Sequence, residues 1–113
     1  PMATRYAFFI HLRALPEWLR LPREQRRELG EAHLHELLPR YQGALRLRHF
    51  DAEAFAAPCS DLMLVETDDP LKHYDFMERL RDSPLLTVPY FEVLQILPAI
   101  EDGYVAFERA ETA

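Results

Sequence analysis

The sequence predicts an α+β fold in which one four-stranded antiparallel sheet carries two helices on a single face. Three observations lead there. Four runs of aliphatic, aromatic and β-branched residues alternate with two helix-forming stretches in the order β-α-β-β-α-β. The two middle runs follow one another without a helix between them, so they pair as a hairpin. The chain has 113 residues, about half of them hydrophobic, which is enough for one core and too little for two. One domain over 1–113 is expected, with 1–4 and 108–113 as tails.

The first strand spans Arg5–Arg13, RYAFFIHLR. Tyr6, Phe8, Ile10 and Leu12 share the face that a helix layer should cover, and Phe9, His11 and Arg13 share the other. Pro16 and Pro22 bracket a short turn or helical connector around Trp18. Glu, Gln, Arg, Leu and Ala dominate Arg23–Arg40 and predict a helix, with Leu34, Leu37, Leu38 and Tyr41 as its inward stripe. Pro22 suits the first turn, whereas Pro39 disturbs the last. Gly43 then allows the turn into the second strand.

The second and third strands, Ala44–Asp51 and Asp61–Thr67, are joined by a loop of about nine residues, longer than a hairpin needs and of the kind that carries function. Asp51, Glu53, the only cysteine (Cys59), Ser60 and Asp61 lie in it or at its ends, which suggests where a site lies. Asp69 and Pro70 form a helix start, a carboxylate cap followed by a residue with no amide to satisfy. Leu71, Tyr74, Met77 and Leu80 are expected to face inward along that helix to Arg81, and Ser83-Pro84 stops it. Thr87–Leu97 reads as the fourth strand, ended by Pro98. Asp102-Gly103 leads into a short amphipathic tail with Tyr104 and Phe107. Two right-handed crossovers and one hairpin make this the ferredoxin-like plan.

The uncovered face is expected to carry Phe9, Arg48, Phe50, Met63 and Val65, an apolar patch of the kind that marks an interface. Pairing with a second copy would bury it and leave a cavity between the sheets, so a homodimer is expected. A net charge of −6 argues against nucleic acid or anionic membranes as partners. No apolar run approaches the ~20 residues of a membrane span. Tyr6–Leu12, broken by His11, is too short for a signal peptide. With a single cysteine as well, a cytoplasmic location is expected.

The segments HFDAEAF, CSDLMLVET and LRDSPLLTVPYFEVLQILPAIEDG resemble the darcynin family, over nearly the whole chain from Tyr6 to Phe107. The chain departs from that pattern in its extra N-terminal residues and at Pro22, where a capping residue is more usual. The resemblance implies a compact dimeric α/β-barrel protein and no particular reaction. The architecture is also similar, more distantly, to antibiotic-biosynthesis monooxygenases and muconolactone isomerases.

The candidate catalytic residues are His11, His49 and Asp51. His11 offers a base or proton shuttle in an inter-sheet cavity, with Arg13 orienting an anionic group. The plainer reading is a half-buried histidine held by a backbone or carboxylate partner. His49 and Asp51 are two apart on a strand and share a face, a possible imidazole–carboxylate pair. Leu45 and Leu47 have the same parity and look core-facing, which turns that pair toward the helices and leaves Arg46, Arg48 and Phe50 on the open face. Phe9, Arg13, Arg48, Phe50 and Glu92 are the expected ligand-binding residues.

No metal site and no cofactor are expected: His33 and His35 point to different sides of a helix, and a set from His11, His49, Asp51 and Glu66 has no compact motif. Cys59 reads as a buried small apolar residue. Arg20, Arg23, Arg26 and Arg27, interleaved with Glu24, Glu28 and Glu31, read as a solvated face laced with ion pairs. The expected function is a cofactor-independent enzyme (oxygenase, isomerase or cyclase) acting on a small aromatic or anionic metabolite. Two alternatives stand beside it: a non-catalytic binding or structural dimer module, and a tautomerase using Pro1 as its base.

Overall fold

A computed structural model describes residues 4–55 and 58–112. Strands β1 (Tyr6–Ala14), β2 (Leu45–Asp51), β3 (Asp61–Thr67) and β4 (Phe91–Ile100) form one antiparallel sheet in the order β2-β3-β1-β4. This is the ferredoxin-like arrangement expected from the element order. Helices α1 (Pro16–Leu19) and α2 (Arg23–His33) follow β1, and α3 (Pro70–Asp82) and α4 (Pro84–Thr87) follow β3. A C-terminal helix, α5 (Gly103–Thr112), has no buried residue. Pro1 and its tautomerase role lie outside the described residues. No described helix is long and apolar enough to cross a membrane.

The parity of β1 is as expected: Ile10 and Leu12 are buried in the core, and Phe9 is exposed on the open face. Met63 and Val65 were expected on that open face and instead lie in the core. They sit directly opposite Ile10 and Phe8 of β1, and residues opposed across an antiparallel pair project to the same side. Leu62, Leu64 and Glu66 take the open side.

The long first helix breaks where proline chemistry requires. α2 ends at His33, and His35–Tyr41 continues as a 3₁₀ segment containing Pro39. Pro39 lacks the amide for an α-helical bond, and its ring crowds the carbonyl four residues back. The chain then reverses at Gln42 (φ 52°) and Gly43 (φ 80°); glycine takes the second left-handed position without a side-chain penalty. The stripe assigned to the helix therefore lies almost wholly beyond it. α2 itself, REQRRELGEAH, buries nothing completely.

α3 begins as expected, with Asp69 Oδ1 accepting from the Leu71 amide at 3.1 Å. Its inward face agrees with expectation at Leu80, which is buried, and at Met77, which packs against the core, and differs elsewhere. His73, Phe76 and Leu80 are buried, whereas Leu71 and Tyr74 are 80% and 64% exposed. Position 71 lies in the first turn, beyond the sheet, and the buried stripe starts two residues later. Ser83 ends α3 and also caps α4, accepting from the Leu85 amide at 3.3 Å. Thr87 therefore belongs to a helix, and the last strand starts only at Phe91. Pro98 sits inside β4, opposite Phe8. That is tolerated because β4 is an edge strand whose outer amides need no partner.

Candidate functional site

α2 stands off the sheet because little of its surface is apolar, and the gap beneath it is a cavity of about 550 Å³, within the range of small-molecule sites. The sheet side contributes Leu12, Leu47 and Met63. Trp18, from α1, closes one end, with its ring tilted against Phe91 at 4.7 Å.

One polar wall comes from the ends of β2 and β3. His49 Nε2 lies 2.7 Å from Asp61 Oδ2, and Asp51 Oδ1 lies 4.0 Å from the same nitrogen. The His49–Asp61 contact is diagonal across the hairpin: Asp51 opposes Asp61 and His49 opposes Met63. Diagonal neighbours on one face are within reach of long side chains. Ser60 fixes the carboxylate from behind by donating to Asp61 Oδ1 at 2.6 Å, while its own hydroxyl oxygen accepts from the Ala14 amide at 2.7 Å. The hydrogen bond to Asp61 raises the His49 pKa; burial opposes it, and Asp51 and Glu53 add smaller raising contributions. His49 thus has a raised pKa and is held by a buried carboxylate, which is how an acid–base histidine is oriented.

The opposite wall is basic. Arg23, Arg26 and Arg27 project from α2 toward the cavity. Arg26 is occupied, donating to the Leu19 and Leu21 carbonyls at 2.7 and 3.0 Å, which locks the connector between α1 and α2. Arg23 and Arg27 have no ion pair or side-chain hydrogen bond among the described residues. Of the arginines on the expected ion-pair-laced face, only Arg20 forms an ion pair among the described residues, and its partner at 2.8 Å is Glu17, outside the interleaved glutamates.

The sheet divides the residues singled out from the sequence. His49 and Asp51 face the cavity, as the parity of Leu45 and Leu47 implied. His11 lies half-buried on the other side, opposite Leu62 and Gln95. Phe9, Arg13, Arg48, Phe50 and Glu92 share His11's face. Two ion pairs cross it, Arg13–Glu92 at 3.7 Å and Arg48–Glu66 at 3.0 Å, and Arg48 lies 6.0 Å over the Phe50 ring. His11 and Glu66 are thereby separated from His49 and Asp51, so the four-residue metal set does not assemble. The donor atoms of His49, Asp51 and Asp61 do lie within 4.8 Å of one another, close enough to hold a cation. Cys59 is a buried free thiol.

Sequence reasoning placed Asp61 at the end of the long loop expected to carry function but gave it no role, and it missed Trp18, Arg23 and Arg27. Asp61 carried a signal, an acidic residue at the same parity as Met63 and Val65 on a buried strand. The arginines carried none, because their function depends on a gap between helix and sheet.

The family model described as Darcynin, domain of unknown function, matches residues 2–112. Darcynin 1 of Acinetobacter baumannii is 41% identical over 88 residues, covering 78% of this chain and 97% of that protein. Darcynin of Chromobacterium violaceum is 53% identical over 60 residues, 53% of this chain and 76% of that protein. Among solved structures, chlorite dismutase from Candidatus Nitrospira defluvii in complex with imidazole superposes with a TM-score of 0.72 at 13% identity, over 87% of this chain and 40% of that one. A dimeric chlorite dismutase from Nitrobacter winogradskyi gives 0.64 at 22% identity, over 87% of this chain and 56% of that one. The chain thus spans about half the length of either, and the likeness is one of fold.

Proposed function

The chain belongs to the Darcynin family, and from that premise we propose that it is a small-molecule enzyme performing proton transfer in the cavity under α2. His49 is the acid–base group, and Asp61 is the positioning carboxylate that holds its ring and favours its charged form. The observation that carries this reading is the 2.7 Å contact between His49 Nε2 and Asp61 Oδ2 at the wall of a cavity of about 550 Å³. A histidine so placed takes a proton from carbon or oxygen and returns it elsewhere on the same molecule, the chemistry of an isomerase or cyclase. The same deprotonation could prepare a substrate for oxygen, as in a cofactor-independent oxygenase. Asp51, more exposed and 4.0 Å away, adds negative charge beside the imidazole.

The working unit is a homodimer joined through the open sheet face. Phe9, Phe50 and Leu97 are 41%, 48% and 43% exposed there, an apolar group that a second copy would cover. Light scattering at micromolar concentration should give twice 13.3 kDa; a monomer would remove this part of the proposal. Under the alternative, a binding module without catalysis, the cavity holds a ligand and His49 transfers no proton.

The two separate in heavy water. Incubation of the protein with a panel of small enolisable ketones and keto acids in D₂O should incorporate deuterium at the acidic carbon, read by NMR. His49→Gln should abolish the incorporation, and Asp61→Asn should reduce it about 10²-fold or more, within the usual contribution of acid–base catalysis. Exchange absent from the wild-type protein, or unaffected by His49→Gln, would favour the binding module.

A further inference from the structure

We infer that the cavity under α2 takes an apolar carboxylic acid, its anionic end held by Arg23 and Arg27 and its body laid against Trp18 with the reacting end at His49. This deepens the acid–base reading and rests on the same cavity. The argument is one of charge placement. In a chain of net charge −6, two arginines one helical turn apart face a cavity and have no ion pair or side-chain hydrogen bond among the described residues. The glutamate one turn beyond, Glu31, also lines the cavity, yet it is not within 4.0 Å of Arg27's nitrogens. The sheet wall carries Asp51, Glu53 and Asp61. Even with His49 protonated, three carboxylates against one imidazolium leave that wall net negative, so an anion is drawn to the helix wall and a molecule with one carboxylate has a favoured orientation. Between the walls the surface is mainly aliphatic and aromatic. Guanidinium groups suit a carboxylate because their donors match its two oxygens.

Trp18 is the only tryptophan and lines the cavity, so its fluorescence reports occupancy directly. The probes are phenylacetate and 3-phenylpropionate, each set against its primary amide, a neutral molecule of nearly the same shape. In low-salt buffer each acid should bind at least about tenfold more tightly than its amide, and added salt should narrow the gap. The double variant Arg23→Gln/Arg27→Gln should erase the gap without changing the melting temperature, because both side chains are exposed. The charge-retaining Arg23→Lys/Arg27→Lys variant should restore part of it.

Equal binding of acid and amide, or a gap untouched by the double variant, overturns the inference. So does the absence of any response to all four probes in both Trp18 fluorescence and saturation-transfer NMR. Failure of the acid–base reading looks different: His49→Gln would keep the acid–amide gap while deuterium exchange proved independent of His49.

Discussion

Around His73 and Phe76 of α3 the helix-covered face of the sheet is sealed; under α2, as far as Leu80 near the end of α3, it is hollow. On the α3 side His73 stacks flat on Phe8, with ring centroids 3.7 Å apart, and Phe76 meets Tyr41 edge-on at 6.1 Å. The Tyr41 hydroxyl donates to Asp75 at 2.8 Å, and Arg79 donates to the same oxygen at 3.0 Å. That cluster ties the 3₁₀ segment to α3 and closes the layer. α2 has a single apolar anchor, Leu29, packed against the core, because in REQRRELGEAH only Leu29 is a large aliphatic residue. One sheet thus supports two kinds of space, and helix composition decides which is which. A helix with an apolar stripe gains by sealing against the sheet, whereas a charged helix keeps its distance.

The two halves also treat histidine in opposite ways. His73 is buried, its Nδ1 has no partner among the described residues, and burial lowers its pKa to about 4. His49 is partly open and paired with a carboxylate, which raises its pKa. The sealed half keeps charge at its surface, in the Asp75–Arg79 pair, and the hollow half brings it to a cavity wall.

The contrast can be broken most directly by deleting packing on each side. Phe76 is fully buried, so Phe76→Ala should cost about 3–5 kcal/mol in urea denaturation. Leu29→Ala in α2 should cost about 1 kcal/mol or less. Equal costs would mean the two halves pack alike.

The next largest effect is acid sensitivity. The folded protein binds the His73 proton less readily than the unfolded chain, whose imidazole titrates near 6.5. Its stabilising effect is therefore intact above pH 6.5 and lost as the pH falls toward 4, on the order of 3 kcal/mol. His73→Leu should flatten that limb of the stability profile. An unchanged limb would assign acid sensitivity elsewhere.

A smaller change sharpens the picture of the hollow half. A Cβ added at Gly30, on the cavity wall, would meet no atom within 4 Å. Gly30→Ala should therefore stabilise the protein by about 0.5–1 kcal/mol through helix propensity alone. The bulkier Gly30→Leu should project into the cavity and weaken occupancy as read by Trp18. A loss of stability in Gly30→Ala would mean that α2 lies closer to the sheet.

The smallest effect belongs to His49. Its folded pKa is raised, so its contribution is fully present below about 6.5 and disappears as the pH climbs through the raised value. With 39% of the side chain exposed, solvent screening leaves about 0.5 kcal/mol or less. NMR titration should find the imidazole above its ordinary value in the wild type and lower in Asp61→Asn. Identical titrations would deny the pairing.

Much of this molecule is legible in a single sequence. The order of elements, the buried parity of β1, the cap at Asp69 and the turn at Gly43 all follow from residues a few positions apart. Steric and hydrogen-bonding preferences act over that range, so local residue identity suffices to specify them. The parity of Leu45 and Leu47 even turned His49 and Asp51 toward the helices, where they lie. Tertiary structure alone decided the rest. Asp61 meets His49 because the hairpin register opposes Asp51 to Asp61, and a nine-residue loop leaves several registers available. The cavity arises where α2 fails to seal, and Arg23 and Arg27, although exposed, line its rim. Register and stand-off distance both balance the burial of a whole helix layer against the sheet, a sum over residues far apart in the chain that no local pattern records.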